Sequence, residues 1–319
     1  MEVTPGIHRI ESVLGPRPFS QYLLHDERSL LVDTGCAETP GAVILPYLEA
    51  AGVELDLVLV SHADVDHFGG TAAIQAAHAR ALVLAHALDT PWIESSDAIM
   101  RERYGWYDAH GLGYPADVFA WLGDSLGPDR PVDVRLRGGE QLRLGPELVV
   151  EVLHLAGHTP GHLGLWEPIS RTAIVTDAVM ARGLLDTEGR VVHPSPYFDV
   201  DAYATSARRL RELRPQRLLT AHYEVIEGAD VDRFLADTLA FVDEAAGLVA
   251  RVLRERGSVT LAELLAEGDA ALGPFSSMPN ELAGSLRAHL TDLVAAGSAA
   301  VDASGLRWQA TEPHPQGGR

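Results

Sequence analysis

The feature that most constrains the folding of this 319-residue chain is a run of ionisable side chains directly after an apolar segment. Residues 57–70 read LVLVSHADVDHFGG, which places His62, Asp64, Asp66 and His67 within six positions. An ordinary core element cannot contain this run, because its polar groups would lose their hydration without a partner. A bound cation removes that objection, since imidazole nitrogen and carboxylate oxygen are natural metal ligands. We therefore expect a strand that ends in a metal-binding loop.

The spacing within the run favours two metal ions over one. His62, Asp64 and Asp66 alternate along the chain, so an extended or loop backbone projects them to one side, whereas His67 turns away. Two diverging groups of ligands suit two adjacent ions.

Together with this run, four further segments resemble the sequence pattern of a known family. The run resembles the metallo-β-lactamase superfamily signature His-x-His-x-Asp-His, and four other segments resemble the rest of the family pattern in the same order: LLVDTG (30–35), AGHTPGH (156–162), IVTDAV (174–179) and LLTAHYEV (218–225). The resemblance covers about residues 1–230. It implies an α/β fold, the αββα sandwich, in which two mainly antiparallel sheets lie between helices.

The same resemblance implies a set of site residues. The implied ligands are His62, Asp64 and His158 for site one, Asp66, His67 and His222 for site two, and Asp177 as the bridge between them. Asp33 is implied to orient the metal loop from behind the ligands, and His162 to support them. His193 and Tyr197 fall in a loop where the family places substrate contacts. Tyr223, directly after a ligand, is a candidate oxyanion donor or a packing residue.

Position 64 departs from the family pattern, which usually has histidine there. A carboxylate makes site one harder and more anionic, which lowers its preference for zinc relative to iron or manganese. The expected cofactors are two divalent ions, with zinc first and iron or manganese as alternatives. The flavodiiron branch of the superfamily also has a carboxylate at this position, so Asp64 leaves the metal open.

The implied chemistry is hydrolysis. Two ions about 3.5 Å apart share a water, lower its pKa and hold it as a bridging hydroxide. Asp66 and Asp177 are then the catalytic carboxylates, and the expected substrate is a small or medium ester, lactone, thioester or phosphoester. One alternative is a diiron redox or oxygen-activating protein, which Asp64 favours but the lack of a flavodoxin-like domain opposes. A non-catalytic metal-binding scaffold is the other, and the complete ligand set argues against it.

Composition restricts the partners and the compartment. The net charge is -20, so nucleic acid is not an expected partner. All 25 basic residues are arginine, which excludes a lysine nucleophile or Schiff base. Cys36 is the only cysteine, which excludes an intramolecular disulfide and suits a reducing cytoplasm. The N-terminus lacks the pattern of a signal peptide, and no apolar run is long enough to cross a bilayer. We expect a cytoplasmic enzyme for a small molecule, with a homodimer left open.

Two segments lie outside the sandwich pattern of residues 1–230. Residues 88–130 contain Trp92, Trp106 and Trp121 and predict a helical insertion, which is either a lid with an aromatic wall or a small core of its own. Residues 231–310 predict three helices and a hairpin, which resembles a winged helix. Residues 250–319 carry six arginines against eight acidic residues, so we expect packing over the active site or dimerisation instead of DNA binding. Residues 311–319 are expected to be disordered.

Overall fold

A computed structural model describes residues 1–311 and contains two β-sheets that share one hydrophobic core. The first sheet has seven strands in chain order: β1 (Glu2–Thr4), β2 (Ile7–Leu14), β3 (Arg17–His25), β4 (Ser29–Val32), β5 (Leu57–Leu59), β6 (Leu82–His86) and β7 (Val134–Leu136). Strands β1 to β4 pair antiparallel, whereas β4 to β7 pair parallel.

The second sheet has six strands, and a separate hairpin lies between two of them in the chain. Its strands are β8 (Gln141–Arg143), β9 (Val149–His154), β10 (Leu163–Glu167), β11 (Thr172–Ile174), β14 (Arg217–Leu219) and β15 (Ile226–Glu227), and the hairpin is β12 (Leu184–Leu185) with β13 (Val191–His193). All neighbours in the second sheet are antiparallel except β11 and β14.

The expectation of mainly antiparallel sheets is wrong for the first sheet, where half of the neighbouring strands run parallel. A parallel pair needs a crossover connection, usually through a helix. Helical segments do connect β4 to β5, β5 to β6 and β6 to β7. The sheet is therefore mixed.

Helices cover the outer face of each sheet. The helices of this part are α1 (Leu45–Ala51), α2 (Val65–Phe68), α3 (Thr71–Ala77), α4 (Thr90–Ile93), α5 (Ser96–Ile99), α6 (Ala116–Asp124) and α7 (Val200–Leu213). Leu48 of α1 packs with Val58 and Val83 of the first sheet, and Leu210 of α7 packs with Leu218 of the second. The predicted αββα sandwich is confirmed.

The ends of two helices follow from their sequences. Helix α1 stops at Gly52, which takes a left-handed conformation with φ 66° that glycine adopts without strain. Helix α7 begins after Asp199, whose side chain accepts a hydrogen bond from the backbone nitrogen of Ala202.

The segment between β6 and β7 is helical, as predicted for residues 88–130. Besides α4, α5 and α6 it contains a π-helical turn (Met100–Tyr104) and a 3-10 helix (Gly105–His110). Trp92 and Trp121 pack against the core outside the first sheet, and Trp106 packs against the C-terminal region. The three tryptophans therefore pack into two different hydrophobic cores.

The C-terminal region has the predicted order of three helices and a hairpin. Its elements are α8 (Ala229–Arg256), β16 (Ser258–Thr260), α9 (Leu261–Leu272), a 3-10 turn (Pro279–Glu281), α10 (Leu282–Ala295), β17 (Ala299–Val301) and β18 (Arg307–Ala310), with strand order β16-β18-β17. Helix α8 begins before residue 231, so one continuous helix crosses the expected domain boundary.

Two further expectations concern the C-terminal tail and membrane spans. Most of the predicted tail, residues 312–319, lies outside the described residues. Among the helices of residues 1–311, none combines the length and apolar character that a membrane span requires.

Candidate metal centre

The expected ligands come together at one end of the sandwich. The ligand atoms within each of three groups lie within 4.8 Å of one another: His62, Asp64 and His158; His62, His67 and Asp177; and Asp66, His67 and His222. The run after β5 is not wholly a loop, because Asp64 is extended and residues 65–68 form the helical turn α2. The structure therefore brings together all seven residues that the sequence singled out as metal ligands.

The four expected histidine ligands are oriented in the same way. Each Nδ1 lies within hydrogen-bond distance of an oxygen: Ser61 Oγ for His62 (2.9 Å), Asp33 Oδ2 for His67 (2.7 Å), the Pro196 carbonyl for His158 (2.7 Å) and the Pro18 carbonyl for His222 (3.2 Å). This leaves the Nε2 atoms facing the carboxylates, as in metal-binding histidines whose other nitrogen is held by the protein.

The Nε2 atoms also show that the site fits a cation. Those of His62, His67 and His222 are buried and have no hydrogen-bond partner among residues 1–311. Buried polar atoms without partners are uncommon in folded proteins and require an explanation. Three such atoms beside three carboxylates are the donor set of divalent metal ions.

Asp33 and His162 lie where supporting residues were expected. The Asp33 carboxylate accepts hydrogen bonds from the Ser61 backbone nitrogen (2.7 Å) and hydroxyl (2.8 Å), in addition to its contact with His67. The ring of His162 stacks on that of His62, with centroids 4.4 Å apart, and its Nε2 lies 3.2 Å from Thr176 Oγ1. Both residues therefore fix the direction of a ligand side chain from behind.

The electrostatics of the site suit metal binding. Burial, with help from His67, lowers the pKa of His62 to about 4, which keeps its ring in the neutral form that binds metals. Burial disfavours the charged form of Asp177 too, but His222 and His67 outweigh it and hold the pKa of Asp177 well below its usual range. Asp177 is therefore held in the ionised form, which can bind a cation.

Asp64 has a partner that sequence reasoning missed. The guanidinium of Arg103 places Nη2 3.0 Å from Asp64 Oδ2 and Nε 3.0 Å from Oδ1. Tyr104 donates its hydroxyl to Oδ1 at 3.0 Å. Burial opposes ionisation of Asp64, but Arg103 and His158 outweigh it and hold the pKa well below its usual range. The buried guanidinium offsets the extra negative charge that Asp64 was expected to bring to site one.

A second missed residue, Asp89, joins two ligand loops. Its carboxylate accepts hydrogen bonds from the Ala63 nitrogen (3.1 Å), the Thr159 hydroxyl (2.6 Å) and the Gly161 nitrogen (2.6 Å). A Cβ atom at Gly161 would lie 2.6 Å from Asp89 Oδ1, so the glycine permits this approach. Asp89 thereby holds the loop of His62 and Asp64 against the loop of His158.

The expected ligands open into a small cavity of about 40 Å³. Besides ligands, its walls include Arg17, Tyr104, Trp121, Leu122, Met180, Leu184, His193, Met278 and Glu281. Glu281 accepts a hydrogen bond from the Tyr114 hydroxyl (2.8 Å), and its Oε2 lies 3.6 Å from His193 Nε2. His193 is thus in the cavity, as expected. The C-terminal region supplies Met278 and Glu281 to the walls. Sequence reasoning did not identify these two residues.

The two tyrosines expected near the substrate point elsewhere. Tyr197 is fully buried, and its hydroxyl lies 2.8 Å from His289 Nε2 in α10. The Tyr223 hydroxyl donates to the carbonyl oxygens of Met180 and Gly183. Tyr197 therefore joins the sandwich to the C-terminal region, and the hydroxyl of Tyr223 is held by the backbone.

Comparisons with known proteins agree with this architecture. The family model of the metallo-beta-lactamase superfamily matches residues 14–222. A hydroxyacylglutathione hydrolase of Fuscovulum blasticum is 27% identical over 81% of this chain and 82% of its own length. A probable metallo-hydrolase of Bacillus subtilis is 22% identical over 69% of this chain and 85% of its own length.

The fold of the whole chain has a counterpart among solved structures. The crystal structure of a metallo-beta-lactamase family protein from Thermus thermophilus superposes with a TM-score of 0.73 at 21% identity, over 97% of this chain and 100% of the other. That likeness extends through the C-terminal region. Since the family model spans most of the sandwich and the expected ligand positions, the chain belongs to the metallo-β-lactamase superfamily.

Proposed function

We propose that this chain is a dinuclear metal-dependent hydrolase that cleaves small or medium carboxylic esters and thioesters. The observation that carries the proposal is the convergence of buried, unpartnered Nε2 atoms on three carboxylates. Site one would consist of His62, Asp64 and His158, and site two of Asp66, His67 and His222, with Asp177 between them.

The bound ions would supply Lewis acidity and a water of lowered pKa. The chain's own groups hold and aim the reactants. Asp66 lines the cavity, and its Oδ2 lies 3.7 Å from His222 Nε2 and 3.9 Å from His67 Nε2. Its carboxylate is thus positioned to orient a nucleophilic water and to accept its proton. Trp121 and Leu122 form an apolar wall that excludes water from the substrate.

The leaving group favours esters and thioesters over amides. An alkoxide or thiolate departs with little protonation, whereas an amine needs a general acid. The relative from Fuscovulum blasticum is named for an acyl substrate, which favours carboxylic over phosphoric esters. Lactones are cyclic carboxylic esters and are therefore included in the proposed substrates. Phosphoesters are tested beside them in the substrate panel.

The Asp64–Arg103 pair supports zinc as the metal. The negative charge of Asp64 and the positive charge of Arg103 cancel, so the pair has no net charge. The neutral histidine that the family usually has at position 64 carries no net charge either. Asp64 alone would favour iron or manganese. With Arg103 at ion-pair distance, we propose zinc for both sites.

Elemental analysis together with a substrate panel tests the proposal. Natively purified protein should contain about two transition-metal ions per chain. Chelation should abolish hydrolysis of chromogenic oxyester, thioester and lactone substrates, and zinc should restore it better than manganese or iron. A phosphodiester substrate tests the remaining class.

Two histidine variants provide the matched comparison. His158→Gln should lose metal and activity together, whereas His25→Gln, on the exposed end of β3, should lose neither. Full activity after thorough chelation, or natively purified protein without metal, would contradict the proposal.

A further inference from the structure

Arg17 differs from the other buried arginines of residues 1–311. Arg9 forms ion pairs with Glu224 and Glu11 and a hydrogen bond with Ser20, and Arg103 pairs with Asp64. Arg17 is only 7% exposed, yet within the described chain its guanidinium makes no ion pair and no hydrogen bond. No Arg17 nitrogen is among the fully buried polar atoms of the described residues that lack a partner, so the guanidinium reaches the cavity that it lines, where an anionic ligand can pair with it.

The position of Arg17 connects it to the metal centre. It is the first residue of β3 and lines the cavity into which the ligands open. The next two residues contact His222, since the Pro18 carbonyl lies 3.2 Å from its Nδ1 and the Phe19 ring stacks on it with centroids 5.2 Å apart. An anion held by Arg17 would therefore lie on the side of site two.

We propose that Arg17 is the receptor for a carboxylate carried by the substrate, away from the bond that is cleaved. This inference rests on the proposed hydrolase function and narrows its substrate class to esters or thioesters with a free carboxylate. A guanidinium presents two parallel N–H groups that match a carboxylate. Met180 and Leu184 line the same cavity and offer an apolar surface to the intervening carbon chain.

The local charge favours a carboxylate over a phosphate. His193 also lines the cavity, but burial, with help from the Arg17 charge, lowers its pKa to about 3, so the ring stays neutral. Arg17 therefore offers a single positive charge, which one carboxylate balances and a phosphate dianion exceeds. Asp66 and Asp177 line the cavity as well, but they lie beyond ion-pair distance of Arg17 and belong to the metal sites.

A matched pair of esters tests the inference. Mono-4-nitrophenyl glutarate and 4-nitrophenyl pentanoate have the same chain length and differ in the terminal carboxylate. We expect the metal-loaded protein to prefer the glutarate ester in kcat/KM by about tenfold or more, the effect of a charge-assisted hydrogen-bonded pair. Arg17→Met should remove this preference and Arg17→Lys should restore part of it. Arg143→Met, an exposed arginine of β8, should leave the ratio of the two substrates unchanged.

A binding measurement separates this inference from the proposed function. The dissociation constant of free glutarate, measured by calorimetry on the metal-loaded protein, should rise about tenfold or more in Arg17→Met. If neither ester is cleaved but glutarate binding depends on Arg17, the proposed function fails for these esters and the carboxylate receptor stands. Equal glutarate affinity in both proteins, or no binding to the parent, would overturn the receptor. Arg17-dependent binding of inorganic phosphate that is tighter than that of glutarate would overturn the assignment to a carboxylate.

Discussion

Replacement of Arg103 by methionine tests whether the buried pair with Asp64 holds the metal loop in place. Both side chains are buried, with exposed fractions of 3% and 12%, and two N–O distances are 3.0 Å. Unit charges about 4 Å apart attract by about 4 kcal/mol at an effective dielectric constant of about 20. Loss of one partner of a buried pair typically costs about 3–5 kcal/mol.

We therefore expect Arg103→Met to lower the free energy of unfolding of the metal-free protein by about 3–5 kcal/mol. The loss should be smaller in the metal-loaded protein, because bound cations also compensate the charge of Asp64. Urea titrations of both forms measure these losses. Arg135→Met, which breaks an exposed pair with Glu94, is the control and should cost less than about 1 kcal/mol.

A double-mutant cycle with Asp64→Asn decides whether the loss of stability in Arg103→Met comes from the charge of Asp64. Without the Asp64 charge, Arg103→Met should cost at least about 2 kcal/mol less than it does in the parent protein. If the replacement costs the same in both backgrounds, Arg103 stabilises the fold through its packing alone, and the charge argument is refuted.

Three further predictions concern single residues. Asp177→Ala should lower turnover by at least about a hundredfold and reduce the metal content, and near-native activity would exclude the bridging role. Tyr223→Phe should lower the free energy of unfolding by about 1 kcal/mol and leave kcat nearly unchanged, because its hydroxyl bonds to carbonyl oxygens; a large fall in kcat with normal stability would restore the oxyanion role. His289, with a pKa of about 4 against 6.5 for the free side chain, contributes stability above pH 6.5 that is lost as the pH falls towards 4, so His289→Gln should flatten this decline in urea midpoints.

The expected ligand set came from the resemblance to the family pattern, in which the ligand-bearing segments follow strands closely. His62 comes three residues after β5, Asp177 three after β11 and His222 three after β14. An apolar strand followed by an ionisable residue is a local signal, and the fold class follows from the same alternation of elements. These features need no knowledge of distant contacts.

The places of Arg103 and Glu281 at the site could not be predicted because their contacts join distant parts of the chain. Arg103 lies 39 residues from Asp64, and Glu281 lies 167 residues from Tyr114. No periodicity links such positions. Adjacency in sequence was also misleading, because residues 221–223 form a bend and not a regular element. Tyr223 follows His222, yet its ring packs edge-on against Phe234 of α8.

The origin of Met278 and Glu281 has a consequence for how the protein can be redesigned. All seven expected metal ligands lie between residues 62 and 222, whereas these two wall residues lie in the connection between α9 and α10. An engineer can therefore exchange residues 273–281 for variant loops and reshape one wall of the cavity while every ligand codon stays untouched. In gene libraries that vary only residues 273–281, variants can be selected for new substrates while all expected metal ligands stay unchanged.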